Sequence, residues 1–131
     1  ISFKLIRYDQ FVEKERESLN IGQLLRLELN PTSLLEQGNK VYFTDPVHGI
    51  FVFDVYGNYL NKLPIKGIEH LVINNDRLFY EKGGVLYVWN LKDSQENQVG
   101  IDFSNTRFFD VNRSRIIHAE NNRVLIFTTR K

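Results

Sequence analysis

Residues 39–54 read Asn39-Lys40-Val41-Tyr42-Phe43-Thr44-Asp45-Pro46-Val47-His48-Gly49-Ile50-Phe51-Val52-Phe53-Asp54. Two runs of β-branched and aromatic residues flank a Pro/Gly interruption. Such residues fit a pleated, half-buried surface, and the interruption supplies turn chemistry, so the stretch predicts a β-hairpin. The pattern recurs twice. Asp76-Arg77-Leu78-Phe79-Tyr80 leads to Val85-Leu86-Tyr87-Val88-Trp89-Asn90, and Ser114-Arg115-Ile116-Ile117-His118 leads to Val124-Leu125-Ile126-Phe127-Thr128. The basic anchors Lys40, Arg77 and Arg115 are 37 and 38 residues apart, and the aromatics Phe53, Trp89 and Phe127 are 36 and 38 apart.

An apolar pair precedes each hairpin, Leu34-Leu35, Leu71-Val72 and Phe108-Phe109, at intervals of 37 residues, and reads as the first strand of each unit. A partial unit stands in front, because Leu5-Ile6-Arg7-Tyr8-Asp9 matches the second run, with Tyr8-Asp9 in the place of Phe53-Asp54. Between Val12 and Asn30, the residues Ile21, Leu24 and Leu25 predict one helical turn under an Asn20 cap. Tyr56-Gly57-Asn58, Asn74-Asn75-Asp76, Lys82-Gly83-Gly84 and Glu120-Asn121-Asn122 place residues tolerant of positive φ between strands. In the first complete unit the strands are expected near residues 32–36, 40–45, 50–54 and 59–63. Helical repeats have a similar period but need amphipathic stretches of ten or more residues, which the Gly and Asn interruptions prevent.

A meander of this kind cannot bury both faces of its sheet alone, so successive sheets must stack. The expectation is an all-β chain of β-propeller type. It would form a single domain over residues 1–131, with a partial blade at 1–31, blades at 32–67 and 68–105 and an incomplete blade at 106–131. Closed propellers have at least four blades, and this chain supplies three and a fraction. The chain is therefore expected to be a fragment or processed product, the C-terminal half of a larger ring. Its exposed edges would favour a homodimer or completion by a missing N-terminal half.

Composition narrows the function classes. The 131 residues are 42% hydrophobic, 13% aromatic and 25% charged, as in folded soluble proteins, and no apolar run approaches a membrane helix. With 17 basic and 16 acidic residues the formal net charge is +1, so no broad field favours nucleic acid. Cysteine is absent, which removes disulfides, thiolate catalysis and cysteine-based zinc sites.

No catalytic or metal constellation stands out. His48, His70 and His118 have no ligand spacing, so neither a metal nor a cofactor is expected. Asp9 and Asp54 follow strand aromatics at repeat positions and should hydrogen-bond the turns that follow them. The run Glu13-Lys14-Glu15-Arg16-Glu17 reads as a solvated connection. Trp89 keeps register with Phe53 and Phe127 and reads as a core aromatic. The binding candidates are Asp45 and His48, on one hairpin loop, and Glu69 and Arg107, at the starts of innermost strands facing a central channel. The leading expectation is a non-catalytic module for protein or ligand recognition. The alternatives are a propeller hydrolase, lactonase or lyase with catalytic groups partly outside this chain, and a structural assembly protein using exposed sheet edges.

The stretch Gly49 to Gly67, GIFVFDVYGNYLNKLPIKG, resembles six-bladed β-propellers of the NHL and TolB-like kind, whose blades carry an aliphatic strand, an aromatic-Asp pair, then Gly and an outward strand. With YDQF at Tyr8 to Phe11 and NPTSLLEQGNKVYFTDP at Asn30 to Pro46, it looks closest to uncharacterised exported bacterial propellers of that type. The resemblance covers most of the chain. It implies a six-bladed ring, a periplasmic or outer-surface location, and no specified activity.

Overall fold

The computed structural model describes residues 4–17, 21–68 and 70–128, and the side chains of all of these except 16, 21 and 24. The chain divides into two compact units, Ile1–Glu69 and His70–Lys131. In the first unit β1 (Ile6–Tyr8) and β2 (Lys14–Glu17) form a two-stranded sheet, followed by the single helical turn α1 (Ile21–Leu25). Next come β3 (Ser33–Gln37), β4 (Lys40–Asp45), β5 (Gly49–Asp54) and β6 (Tyr59–Leu63), a four-stranded antiparallel meander in sequence order. The second unit repeats this with β7 (Val72–Asn74), β8 (Arg77–Lys82), β9 (Val85–Asn90) and β10 (Gln95–Asp102). A three-stranded meander follows, made of β11 (Phe108–Asn112), β12 (Arg115–Ala119) and β13 (Val124–Thr128). The protein is thus almost entirely β, as its repeats required. The charge run 13–17 is a correction, since its Lys14–Glu17 portion is strand β2. The run is of charged residues alone, which hides a strand whose Lys14, Glu15 and Glu17 side chains stay exposed.

The turns explain the recurrence. Asp9 Oδ1 accepts the N–H groups of Phe11 and Glu13, and Asp54 Oδ1 accepts those of Tyr56 and Asn58, all at 2.8–2.9 Å. Asn90 does the same for Lys92 at 2.8 Å. These are one turn built three times, the role expected of Asp9 and Asp54. The β1–β2 and β5–β6 ladders even slip at the same place, between Arg7 and Tyr8 and between Val52 and Phe53. The two strands of the partial unit are therefore counterparts of β5 and β6. The predicted helical turn is α1, although its Asn20 cap lies outside the described residues.

Register decides which face each residue occupies. Leu35 pairs with Tyr42, Val72 with Phe79 and Asp110 with Ile117. The counterpart of Leu34-Leu35 and Leu71-Val72 is therefore Phe109-Asp110, one residue beyond the pair Phe108-Phe109 chosen by spacing. A one-residue slip exchanges faces. Phe108 is accordingly exposed, while Phe109 packs into the core. By the same register Phe43, Tyr80 and His118 are equivalent, and all three are fully buried.

Each unit has its own core. In the first, Leu29, Phe43, Phe51 and Phe53 are buried together, with Leu5 of the preceding sheet and Leu25, Leu27, Val41 and Tyr59 packed around them. Phe43 stacks on Phe51 and Phe53 at centroid distances of 5.0 and 5.7 Å, and Phe53 meets Tyr59 edge-on at 5.6 Å. Such offset and edge contacts add to the burial of the rings themselves. In the second, Phe79 and Leu86 of one sheet meet Val111 and Ile116 of the next, around Phe103 from the connection between them.

Candidate functional site

Asp45 ends β4 and is buried. Its Oδ1 accepts the N–H groups of Val47 and His48, both at 3.0 Å, and its Oδ2 accepts Asn30 N–H at 2.8 Å. Burial by itself would raise this carboxyl, but the donors from Asn30, His48 and Val47 outweigh it and hold the group below the ordinary carboxylate range. The imidazole of His48 lies 3.3 Å from Asp45 through Nδ1 and is half-buried. The loop is tied further by Gly49, at φ +123°, where a Cβ would stand 2.6 Å from Leu63 O. Asp45 and His48 are thus brought together, with the carboxylate committed to closing the hairpin and the imidazole left at its surface.

Arg107 belongs to the second unit. It is exposed, and its Nη1 donates to Asn121 Oδ1 at 2.9 Å, tying the start of β11 to the β12–β13 turn. Glu69 lies outside the described residues. Among the described residues, no group of three or more His, Cys, Asp and Glu side chains converges as a metal site would need.

Two buried polar groups of the second unit face inward. Tyr80 donates a short hydrogen bond to a Glu96 carboxylate oxygen, and burial followed by that partner pushes its phenol well above the usual range. His118 pairs through Nδ1 with Thr106 Oγ1 at 2.7 Å and lies between the rings of Phe103 and Phe127, at 4.4 and 5.5 Å. Its Nε2 is buried with no hydrogen-bond partner among the described residues. Trp89 is half-buried, in register with Phe53 and Phe127, and its Nε1 also has no hydrogen-bond partner among the described residues.

A concavity of the first unit lies elsewhere. A groove of about 450 Å³ runs between the partial sheet and the first meander. Leu5, Val41 and Val55 give it an apolar floor, Tyr56 gives an aromatic wall, and Arg7, Glu36 and Asn39 give it polar groups. Arg7 holds the groove together. Its Nη1 donates to Val55 O and its Nε to Glu15 Oε2, both at 3.0 Å, and its guanidinium sits 5.1 Å from the Tyr56 ring centroid. Asn39 is held by its turn at φ +60°, and its carbonyl accepts Val55 N–H at 3.1 Å. None of these residues was singled out from sequence. A readable signal existed, because Arg7 stands at the repeat position of Val52, Val88 and Ile126, and a cation in an apolar register marks a special role.

No protein-family model matches the chain, and no curated protein matches it. Solved structures do. One is PorZ, a surface component of the type-IX secretion system of Porphyromonas gingivalis, at 18% identity and TM-score 0.66, covering 95% of this chain and 18% of that one. Another is the computationally designed Ika4 protein, at 14% identity and TM-score 0.66, covering 96% and 79%. A third is the extracellular domain of the one-component system BT4673 from B. thetaiotaomicron, at 12% identity and TM-score 0.57, covering 75% and 14%. The chain spans less than a fifth of the length of PorZ. At these identities the likeness is one of fold, and what it shows is that successive antiparallel β-meanders of this shape recur in solved proteins.

Proposed function

We propose that this chain is part of an exported β-propeller module, of the NHL and TolB-like kind, that recognises a segment of a partner protein without catalysing a reaction. Its blades would fall at residues 1–31, 32–67, 68–105 and 106–131. The observation that carries the reading is the groove of the first unit. It offers an apolar floor long enough for one or two side chains, an aromatic wall, an amide at Asn39 for a peptide backbone and a carboxylate at Glu36 for a basic side chain. Arg7 is engaged by Glu15, Val55 and Tyr56, so the groove is held in shape before anything enters it. Pre-organisation of this sort lowers the entropic cost of binding. Export is supported by the resemblance to exported bacterial propellers and by the likeness of fold to PorZ, a surface component, and to the extracellular domain of BT4673.

The test is a panel of tetrapeptides with and without Lys or Arg, titrated into 15N-labelled chain to about 1 mM, the limit at which weak encounters remain visible. Basic-apolar peptides should shift the amides of Glu36, Asn39, Val55 and Tyr56, and Glu36→Gln should weaken them selectively. A panel that moves none of these amides refutes the groove as a recognition site.

A further inference from the structure

The groove of the first unit carries polar groups that the fold itself leaves unused. A guanidinium has five N–H donors. Arg7 commits one through Nε to Glu15 and one through Nη1 to Val55 O, and the donors on Nη2 have no protein partner among the described residues. The side chains of Glu36 and Asn39, which line the groove from the first meander, make no hydrogen bond or ion pair among the described residues either. Unused donors thus stand on β1 and on the β3–β4 turn, and an unused carboxylate stands on β3.

Charge narrows what can enter. Glu15 already balances Arg7, so Arg7, Glu15 and Glu36 together carry one net negative charge, one cation against two carboxylates. An anion alone is repelled by that sum, and a cation alone leaves the donors of Arg7 and Asn39 unused. A ligand that satisfies every group is dipolar, with a carboxylate for Arg7 and Asn39, a cation for Glu36 and an apolar body for the floor at Leu5, Val41 and Val55. Size narrows it again. At about 450 Å³ the groove lies toward the small end of ligand sites. An internal segment needs three separate side chains to supply anion, cation and apolar group. The last residue of a chain supplies carboxylate and apolar side chain from one Cα, and the residue before it supplies the cation.

Resting on the reading of the groove as a recognition site, we infer that the partner enters by its C-terminal end. The terminal carboxylate meets the Nη2 donors of Arg7 and the Asn39 amide, a Lys or Arg in the preceding position meets Glu36, and the terminal apolar side chain lies on the floor. Capture of a chain terminus is a recurring mode of peptide recognition, and a guanidinium is the donor best matched to a carboxylate.

Three N-acetylated tetrapeptides titrated into 15N-labelled chain to about 1 mM test this. The first ends in Lys-Leu with a free carboxylate, the second is its C-terminal amide, and the third is an amide in which Asp follows the Leu. The first should bind at least about tenfold more tightly than the second, the loss expected when a charge-assisted hydrogen bond is removed, and the third no more tightly than the second. In Arg7→Gln, with its spectrum checked for folding, the acid and the amide should bind alike. Equal binding of acid and amide to the wild type overturns the inference and leaves the groove as a recognition site through which a segment passes. An Asp peptide that matches the acid overturns it too, as does a tenfold preference that survives in Arg7→Gln. The comparison of acid with amide uses the wild type alone, so it decides whether or not Arg7→Gln folds. If none of the three moves the amides of Glu36, Asn39, Val55 and Tyr56, the inference and the recognition groove fall together.

Discussion

Replacing His118 by Phe together with Thr106 by Val should stabilise the protein, against the usual direction of a double change in a core. His118 fills the position held by Phe43 and Tyr80 in the other units, is 1% exposed and is flanked by two Phe rings. When Nδ1 accepts from Thr106, the neutral ring carries its proton on Nε2, and that N–H points at no acceptor among the described residues. A buried donor left unpaired costs about 1–3 kcal/mol, whereas the Thr106 bond returns about 1 kcal/mol net. Removing both partners therefore gains about 1 kcal/mol, less the strain of exchanging His for a slightly larger ring, up to about 1.5 kcal/mol for a near-isosteric core swap. His118→Ala removes a fully buried ring and should cost about 3–4 kcal/mol, as large-to-small core changes do. Urea unfolding at pH 7, comparing midpoints at constant slope, measures both. A double variant that loses more than about 1 kcal/mol would mean that Nε2 has a hydrogen bond in solution, and the account of this site would be wrong.

Gly49→Ala should destabilise by about 2–3 kcal/mol or more, since φ +123° is strained for any side chain and the new Cβ would lie 2.6 Å from Leu63 O; a loss under about 0.5 kcal/mol in urea unfolding would refute it. Val12 sits at φ +63°, in the turn position that Gly57 occupies in the next unit, and is exposed. Val12→Gly should therefore raise stability by about 1 kcal/mol, and a drop on thermal unfolding would show that the β1–β2 turn differs in solution. Asp45, whose carboxyl is depressed below its unfolded value in the folded state, contributes stability that is present above about pH 4 and is lost as pH falls through the folded value. The urea midpoint should fall from pH 5 to pH 2, more steeply in the wild type than in Asp45→Asn; equal slopes would show that the Asn30, Val47 and His48 donors do not favour the ionised form.

Spacing alone was enough to read the hairpin strands of the three repeats, because a hairpin needs only a local alternation of apolar residues and a turn that tolerates positive φ, and both are written in consecutive residues. The Asp9 and Asp54 turns, the order of strands within each meander and the register of Trp89 with Phe53 and Phe127 were legible for the same reason. Which face a residue occupies was less so. Phe108 and Phe109 are equally apolar, and only pairing with His118 and Ala119 on β12 sends one to the core and the other to water. Strand β2 escaped notice because its residues are charged throughout. The groove was invisible because Leu5, Glu36, Val55 and Tyr56 are scattered over some fifty residues and meet only once the partial sheet has packed against the first meander. Local chemistry, acting over a few residues, determines where strands start, bend and stop. Concavities are made by chain segments distant in sequence, so they exist only after packing has chosen neighbours.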